Sequence, residues 1–332
     1  MRGRVGTGVV ALAAAPLLLA GCGDKTQNAL APESHQARDI ATLFWWMMAG
    51  AWIGLAVVVG LLLLAWKRRN RRGFGRDTEG EKPGERLGWL VVVGAGIVVP
   101  IVLLATLFVV SDLFVIKTTQ APAATTTKRT VLVIGHQWWW EVRYPGTPIV
   151  TANEIHIPVR TPVRLEVRTD DVIHSFWVPQ LNRKIDTLPG QTNAIELYAD
   201  AAGRYRGQCA EFCGLQHAHM GVYVFADPPA KFSAWLAEQS KPAAAGQNEF
   251  LDHCSSCHAI RGTSASGDVG PDLTHLASRT TIGGLTLPND RDELRAWIRD
   301  SQHFKRGNKM PSFAQLPSSQ LDAIVAYLEG LK

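Results

Sequence analysis

The pattern of apolar and polar positions divides the chain into unlike stretches. Residues 41–66, ATLFWWMMAGAWIGLAVVVGLLLLAW, and 87–111, LGWLVVVGAGIVVPIVLLATLFVVS, carry no charged side chain. At about 1.5 Å rise per residue each run crosses a ~30 Å hydrocarbon core, so the two predict a hairpin of transmembrane helices. Pro100 predicts a kink in the second, of the kind a neighbouring subunit accommodates. Past residue 130 the pattern shortens to alternation. TVLVIGHQWWWEVRY, NEIHIPVRTPVRLEVRT, TNAIELY and MGVYVFA, broken by Pro, Gly and Asp, predict the strands of an antiparallel sandwich or barrel. DPPAKFSAWLAEQ predicts a closing helix. From about 246 the period turns helical, in RDELRAWIRDSQHF and in SSQLDAIVAYLEGLK behind its Ser cap. No internal repeat is present.

Composition adds a leader and a topology. MRGRVGTGVVALAAAPLLLAGC has two arginines, a short apolar stretch and small residues, which predicts a secretory signal over 1–21. Its end, Leu19-Ala20-Gly21-Cys22, resembles a bacterial lipobox and predicts lipidation of Cys22 as the first mature residue. The loop 67–86 holds eight Lys/Arg against four Asp/Glu, while the outer N-terminal segment 22–40 holds only Lys25 and Arg38 among basic residues. An excess of positive charge marks the cytoplasmic side, so the loop lies inside and everything after about Asp112 lies outside. The loop and signal more than account for the formal net charge of +5, and no nucleic-acid partner is implied. The organisation read is signal 1–21, segment 22–40, helices 41–66 and 87–111 around loop 67–86, linker 112–130, β-rich domain 131–239, linker 240–247 and helical domain 248–332.

Outside the cytoplasm disulfides are permitted, so the four remaining cysteines need individual reading. CSSCH, Cys254 to His258, is the attachment pattern of a c-type haem. Each thiol can add to a haem vinyl group and His258 can take one axial position of the iron. The rival reading, a thioredoxin-like dithiol, lacks its βαβ setting. Met310 in NKMPSF offers a thioether as the second axial ligand. GPDLTHL, 270–276, resembles the haem-edge loop of class I cytochromes c. His253 and His275 read as surface or loop polar residues.

The other pair lies in CAEFCGLQHAHM, Cys209 to Met220. A disulfide or a zinc knuckle would use parts of it. Thiolate, imidazole and thioether together are the ligand chemistry of copper electron-transfer sites, and zinc would leave the methionine idle. Two close thiolates can bridge two coppers. A further histidine is wanted, and His174 in DDVIHSFWVPQL stands at a strand end. His136 and His156, inside alternating strands, are its rivals.

GHQWWWEVRYPG, DVIHSFWVPQL, KIDTLPGQ and GQCAEFCGLQHAHM, followed by the haem motif, resemble subunit II of bacterial haem–copper cytochrome c oxidases with a fused C-terminal cytochrome c. The resemblance covers nearly everything after the signal. It implies a cupredoxin-like barrel carrying the dinuclear copper centre CuA, with His174, Cys209, Cys213, His217 and Met220 as side-chain ligands. Glu211 would bind copper through its carbonyl and share a Mg or Mn ion with subunit I through its carboxylate. Trp138 would be where electrons enter CuA. Asp170 and Asp171 resemble acids that attract a basic cytochrome c, and Asp186 a group near the shared ion. The family commonly has a glutamate three residues before the tryptophan of the second helix; here Arg86 stands there and Glu85 one earlier. The resemblance further implies electron flow from an outer donor through haem c and CuA to subunit I, with subunit III as a further partner, in the bacterial cytoplasmic membrane. A quinol oxidase subunit would lack the copper ligands, and a nitric oxide reductase differs only in its partner. A copper-delivery lipoprotein would have neither two membrane helices nor a fused haem motif.

Overall fold

The computed structural model describes residues 26–71, 85–125, 127, 129–243 and 246–332. The signal segment, Cys22 and most of the loop 67–86 lie outside the described residues, as does the side chain of Glu85. Among the described residues two helices are long and apolar enough to cross a membrane, His35–Arg68 and Gly88–Ile116, and their apolar stretches are unburied within the chain. Faces so exposed suit lipid or a partner and not water.

Helix α1, His35–Arg71, begins six residues before the apolar run. The reason lies in the β-domain. The Ser34 hydroxyl accepts from Ala37 N as a cap and donates to Leu181 O, Gln36 donates to Glu196, and Arg38 pairs with Asp200. The end of the outer N-terminal segment is therefore the helix's anchor on the sandwich. The second helix comprises α2 (Glu85–Leu90), a π-helical Val91–Val98, α3 (Val99–Ser111) and a π-helical Asp112–Ile116. Pro100, which lacks an N–H, sits where the register passes from π to α.

Two five-stranded sheets follow. One has the order β3-β2-β1-β5-β8 and the other β4-β10-β9-β6-β7. The strands are β1 Thr130–His136, β2 Trp139–Arg143, β3 Val150–Ala152, β4 Glu154–Pro158, β5 Val163–Thr169, β6 His174–Trp177, β7 Ile185–Thr187, β8 Asn193–Leu197, β9 Gly203–Cys209 and β10 Gly221–Asp227. The expected all-antiparallel pairing fails at β1–β5 and β4–β10, which are parallel. The chain changes sheet several times, and a strand that returns after a crossover can lie parallel to its neighbour. One change is made at Asn153, in the left-handed region at φ +60, whose side chain accepts from Trp140 N. Alternation buries Tyr205, Gly207 and Cys209 of β9 while their neighbours face out, so period two alone aims Cys209 inward. Trp140, Ile134 and Leu165 lie in the core without exposure. Helix α4, Pro229–Gln239, closes one end.

The C-terminal domain has α5 (Asn248–His253), α6 (Arg291–Arg299), α7 (Ser301–Phe304) and α8 (Ser318–Glu329). The sequence reads α6 and α7 as one helix. The backbone leaves the helical region at Asp300. A minimal hairpin, β11 (Thr281–Ile282) with β12 (Leu287–Pro288), also escapes the helical reading. His275 is a turn residue, as one part of the expectation had it, but a buried one. It is 5 % exposed, with its ring nitrogens facing the carbonyls of Lys332 and Lys241 at 2.7 and 2.9 Å. It thereby ties the linker to the chain's last residue. His253 is half-buried.

Candidate metal and haem sites

The first site is built on strand ends. β9 and β10 pair antiparallel, so Cys209, which ends one, lies opposite Met220, just before the other, and Cys209 N donates to Met220 O at 2.9 Å. β6 pairs with β9, which brings His174, its first residue, to the same end. Cys209 Sγ lies 3.8 Å from Cys213 Sγ, 3.9 Å from His174 Nδ1 and 3.2 Å from the Glu211 carbonyl. Cys213 Sγ lies 3.7 Å from His217 Nδ1 and 3.8 Å from Met220 Sδ. The sulfurs are too far apart for a disulfide bond of about 2.05 Å. They suit a metal ion between them, since metal–thiolate bonds run near 2.3 Å. Both cysteines are 3 % exposed and free.

The surroundings fix each donor. The ring of His174 lies against Gly135, where an added Cβ would stand 2.7 Å from the ring carbon Cδ2. Its Nε2 faces Asp171 Oδ1 at 2.8 Å, which leaves Nδ1 toward the sulfur. Burial works against charge on both partners. It is the largest single influence, and only the bond between them together with Cys209 beside His174 and the Gln137 and Val172 amides on Asp171 overcomes it, raising His174 and taking Asp171 down to about 2. Asp171 is thus not a free acid for a docking partner. The spacing D-x-x-H was the available signal for its role. Gln137 Nε2 and Trp138 Nε1 both donate to the Cys213 carbonyl, at 2.7 and 2.9 Å. The thiols share a proton: the Cys213 thiol favours the Cys209 thiolate, and that bond in turn raises Cys213. The Glu211 carboxylate is exposed and lies 3.8 Å from Lys184 Nζ. Asp186 accepts from Ser175 Oγ at 2.7 Å.

The rival histidines are occupied elsewhere. His136 stacks on Trp139 and meets Glu141 at 3.2 Å. His156 meets Asp227 at 2.7 Å between the rings of Phe225 and Trp235. Of the three tryptophans in HQWWW, Trp140 is core, Trp139 is half-buried and Trp138 lies at the boundary with the helical domain.

The second site is a cavity of about 330 Å³ whose walls include Cys254, Cys257, His258 and Met310, together with Phe250, Leu294 and Ile324. His258 Nδ1 donates to Pro271 O at 2.7 Å, which leaves Nε2 free, and burial lowers its proton affinity. Its ring rests on Gly270, where a Cβ would stand 2.5 Å from the ring carbon Cε1. Burial raises the Cys254 thiol to about 11. The Met310 loop is pinned: Met310 N donates to Asn308 Oδ1, and Met310 O accepts from Ser301 and Gln302. An apolar cavity with two thiols, a free imidazole nitrogen and a thioether fits a haem. The sulfur cluster fits soft metal ions.

Fold and sites define a chain with two candidate membrane helices, a cupredoxin-like sandwich and a cytochrome c domain. Residues 147–226 match the family described as "Cytochrome C oxidase subunit II, periplasmic domain", and residues 243–332 match "Cytochrome c". The chain is 34 % identical to cytochrome c oxidase subunit 2 of Alkalihalophilus pseudofirmus, over 95 % of this chain and 94 % of that one. It is 32 % identical to that of Bacillus sp. strain PS3, over 95 % and 94 %. The chain belongs to the cytochrome c oxidase subunit II family. Among solved structures, the periplasmic domain of cytochrome oxidase subunit II from Bradyrhizobium japonicum aligns with 36 % of this chain and 95 % of its own, at 29 % identity and a TM-score of 0.34.

Proposed function

We propose that, with haem c and dinuclear copper CuA bound, this chain passes electrons from an outer-face donor to the haem–copper centre of subunit I in a proton-translocating terminal oxidase, where oxygen is reduced to water. The observation that carries this reading is the juxtaposition, in one chain, of a two-thiol, imidazole and thioether cluster with a haem-sized cavity. His174, Cys209, Cys213, His217 and Met220 would hold copper through side chains, and Glu211 through its carbonyl. Cys254 and Cys257 would bond the haem vinyl groups, with His258 and Met310 as the axial pair. Gly135 and Asp171 keep the His174 ring from turning, so the metal is met by fixed donors. Trp138, hydrogen-bonded to the Cys213 carbonyl, is the proposed point where electrons enter the copper site.

The remaining assignments follow the same reading. Both water-soluble domains lie on the outer face of a bacterial cytoplasmic membrane. The helices pack against subunits I and III, a lipid on Cys22 adds anchorage, and the Glu211 carboxylate binds a Mg or Mn ion shared with subunit I. The donor is a cytochrome c or an upstream complex. Metal analysis and an optical spectrum of the full chain test the core claim. Two coppers and one haem per chain are expected, with copper lost and haem kept in Cys213→Ser. A wild-type chain with haem and no copper would rule the reading out.

A further inference from the structure

Lys305 is 3 % exposed, yet among the described residues no carboxylate pairs with it. Its Nζ instead donates to three backbone carbonyls, Trp138, His219 and Gly283, each at 2.7 Å. Two of these belong to the sandwich and one to the helical domain's own hairpin. Burial takes the amine down to about 7. Three carbonyls nevertheless call for three N–H donors, which only the ammonium has. Its position is particular. It lines the cavity of Cys254 and Met310, and the carbonyl it holds at His219 belongs to the residue before Met220.

Other bonds cross the same boundary. Gly221 N donates to Gly284 O at 3.1 Å, and Thr280 N donates to Glu154 Oε1 at 2.7 Å. The linker is fastened as well: Arg261 donates to the carbonyls of Gln239 and Lys241 and, across the boundary, to Pro148 O. Contacts between domains of one chain are ordinarily weak enough to permit swinging. Here a buried cation would have to give up two acceptors at once.

We propose that Lys305 is the positioning residue that latches the helical domain onto the sandwich, so that the cavity and the sulfur cluster face each other in one seated pose. The latch is made by this chain's own groups and does not depend on copper at the sulfur cluster. The proposed electron path would inherit a fixed gap from it.

Amide hydrogen exchange on the haem-loaded full chain in detergent tests the latch, because the Gly221 and Thr280 amides are bonded only across the boundary. Lys305→Met is expected to speed their exchange by roughly tenfold or more, since it strands the Trp138 and His219 carbonyls, while Gly283 O keeps the Thr286 hydroxyl. The amides of β5 and of Leu294, bonded within their domains, stay unchanged. Unchanged exchange at Gly221 and Thr280 would overturn the proposal. If the variant unfolds the helical domain, Leu294 will report it, and the wild type still decides. Wild-type exchange at Gly221 and Thr280 as slow as at Leu294 supports seating, and exchange as fast as in an exposed loop overturns it. A second readout rests on the proposed function. In the metal-loaded chain, haem-to-copper transfer should be independent of solvent viscosity in the wild type. In Lys305→Met it should become viscosity-dependent and roughly tenfold slower with both spectra unchanged. Failure to load copper would end the functional reading and leave the exchange result standing.

Discussion

The two sites of this chain are prepared in opposite ways. Around Cys209 and Cys213 the donors already lie within bonding reach of a shared ion: His174, Cys209 and Cys213 offer ligand atoms within 4.8 Å of one another. Met220 and His174 are buried in the sandwich core as tightly as any aliphatic residue. The helical domain does the reverse. Its motif residues stand round a space of about 330 Å³, and Cys254, Cys257 and Met310 are only half-buried. A small ion can be met by a packed protein, whereas a large group must replace packing. The sandwich core is closed on itself, whereas the helical domain's buried cluster is wrapped round the cavity, with Phe250, Leu294 and Ile324 belonging to both.

That contrast predicts the largest effect. Without an occupant the cavity leaves Phe250, Leu294 and Ile324 unpacked on one side, and unfilled space among apolar side chains destabilises a core. The double variant Cys254→Ala with Cys257→Ala, unable to attach haem, should lose amide protection throughout α5 to α8 and keep it in β1, β5 and β10. Protection retained in α8 would mean that the helices form a sufficient core alone, and the comparison would fail.

The sequence made the chemistry of both sites legible for different reasons. Covalent attachment demands adjacent residues, so CSSCH carries most of its site in five letters. The copper-type ligands also cluster, but His174 reaches them only because β6 pairs with β9, and a strand pairing is a long-range fact. What stayed hidden was the supporting structure. Asp171 reads with Asp170 as an acid for a docking partner, because the D-x-x-H spacing permits, and does not require, a carboxylate that turns inward onto the ring. Lys305 carries no mark in the sequence, since its partners are backbone carbonyls, which leave no trace in residue identity. The parallel pairs β1–β5 and β4–β10 were missed because alternation fixes which face is buried and not which neighbour is chosen.

Asp171 offers the next effect in size and sharpens the claim that the first site is preorganised. Asp171→Asn keeps the shape and removes the charge that holds His174 Nε2–H. Outer partners of ligand histidines are typically worth 10–100-fold in metal affinity. Copper affinity, measured by competition with a chelator, should fall by about that factor while the haem spectrum is unmoved. A change below about twofold would mean that Gly135 and the strand pairing fix the ring without help.

The smallest effect falls on Glu211, where the two halves of one residue face different ways. Its carbonyl stands 3.2 Å from Cys209 Sγ, and its carboxylate points into solvent beside Lys184. An exposed pair at that distance contributes about 0–1 kcal/mol to stability. Glu211→Ala removes the carboxylate and keeps the carbonyl. Copper content should be unchanged, and copper affinity should shift by no more than about twofold, as for an ordinary surface substitution. Mn bound by the assembled oxidase, read by its electron paramagnetic resonance signal, should weaken in the same variant. Loss of copper instead would place the carboxylate in the metal site itself. The loop would then be less preorganised than its buried sulfurs suggest, because it would have to turn an exposed side chain inward on binding.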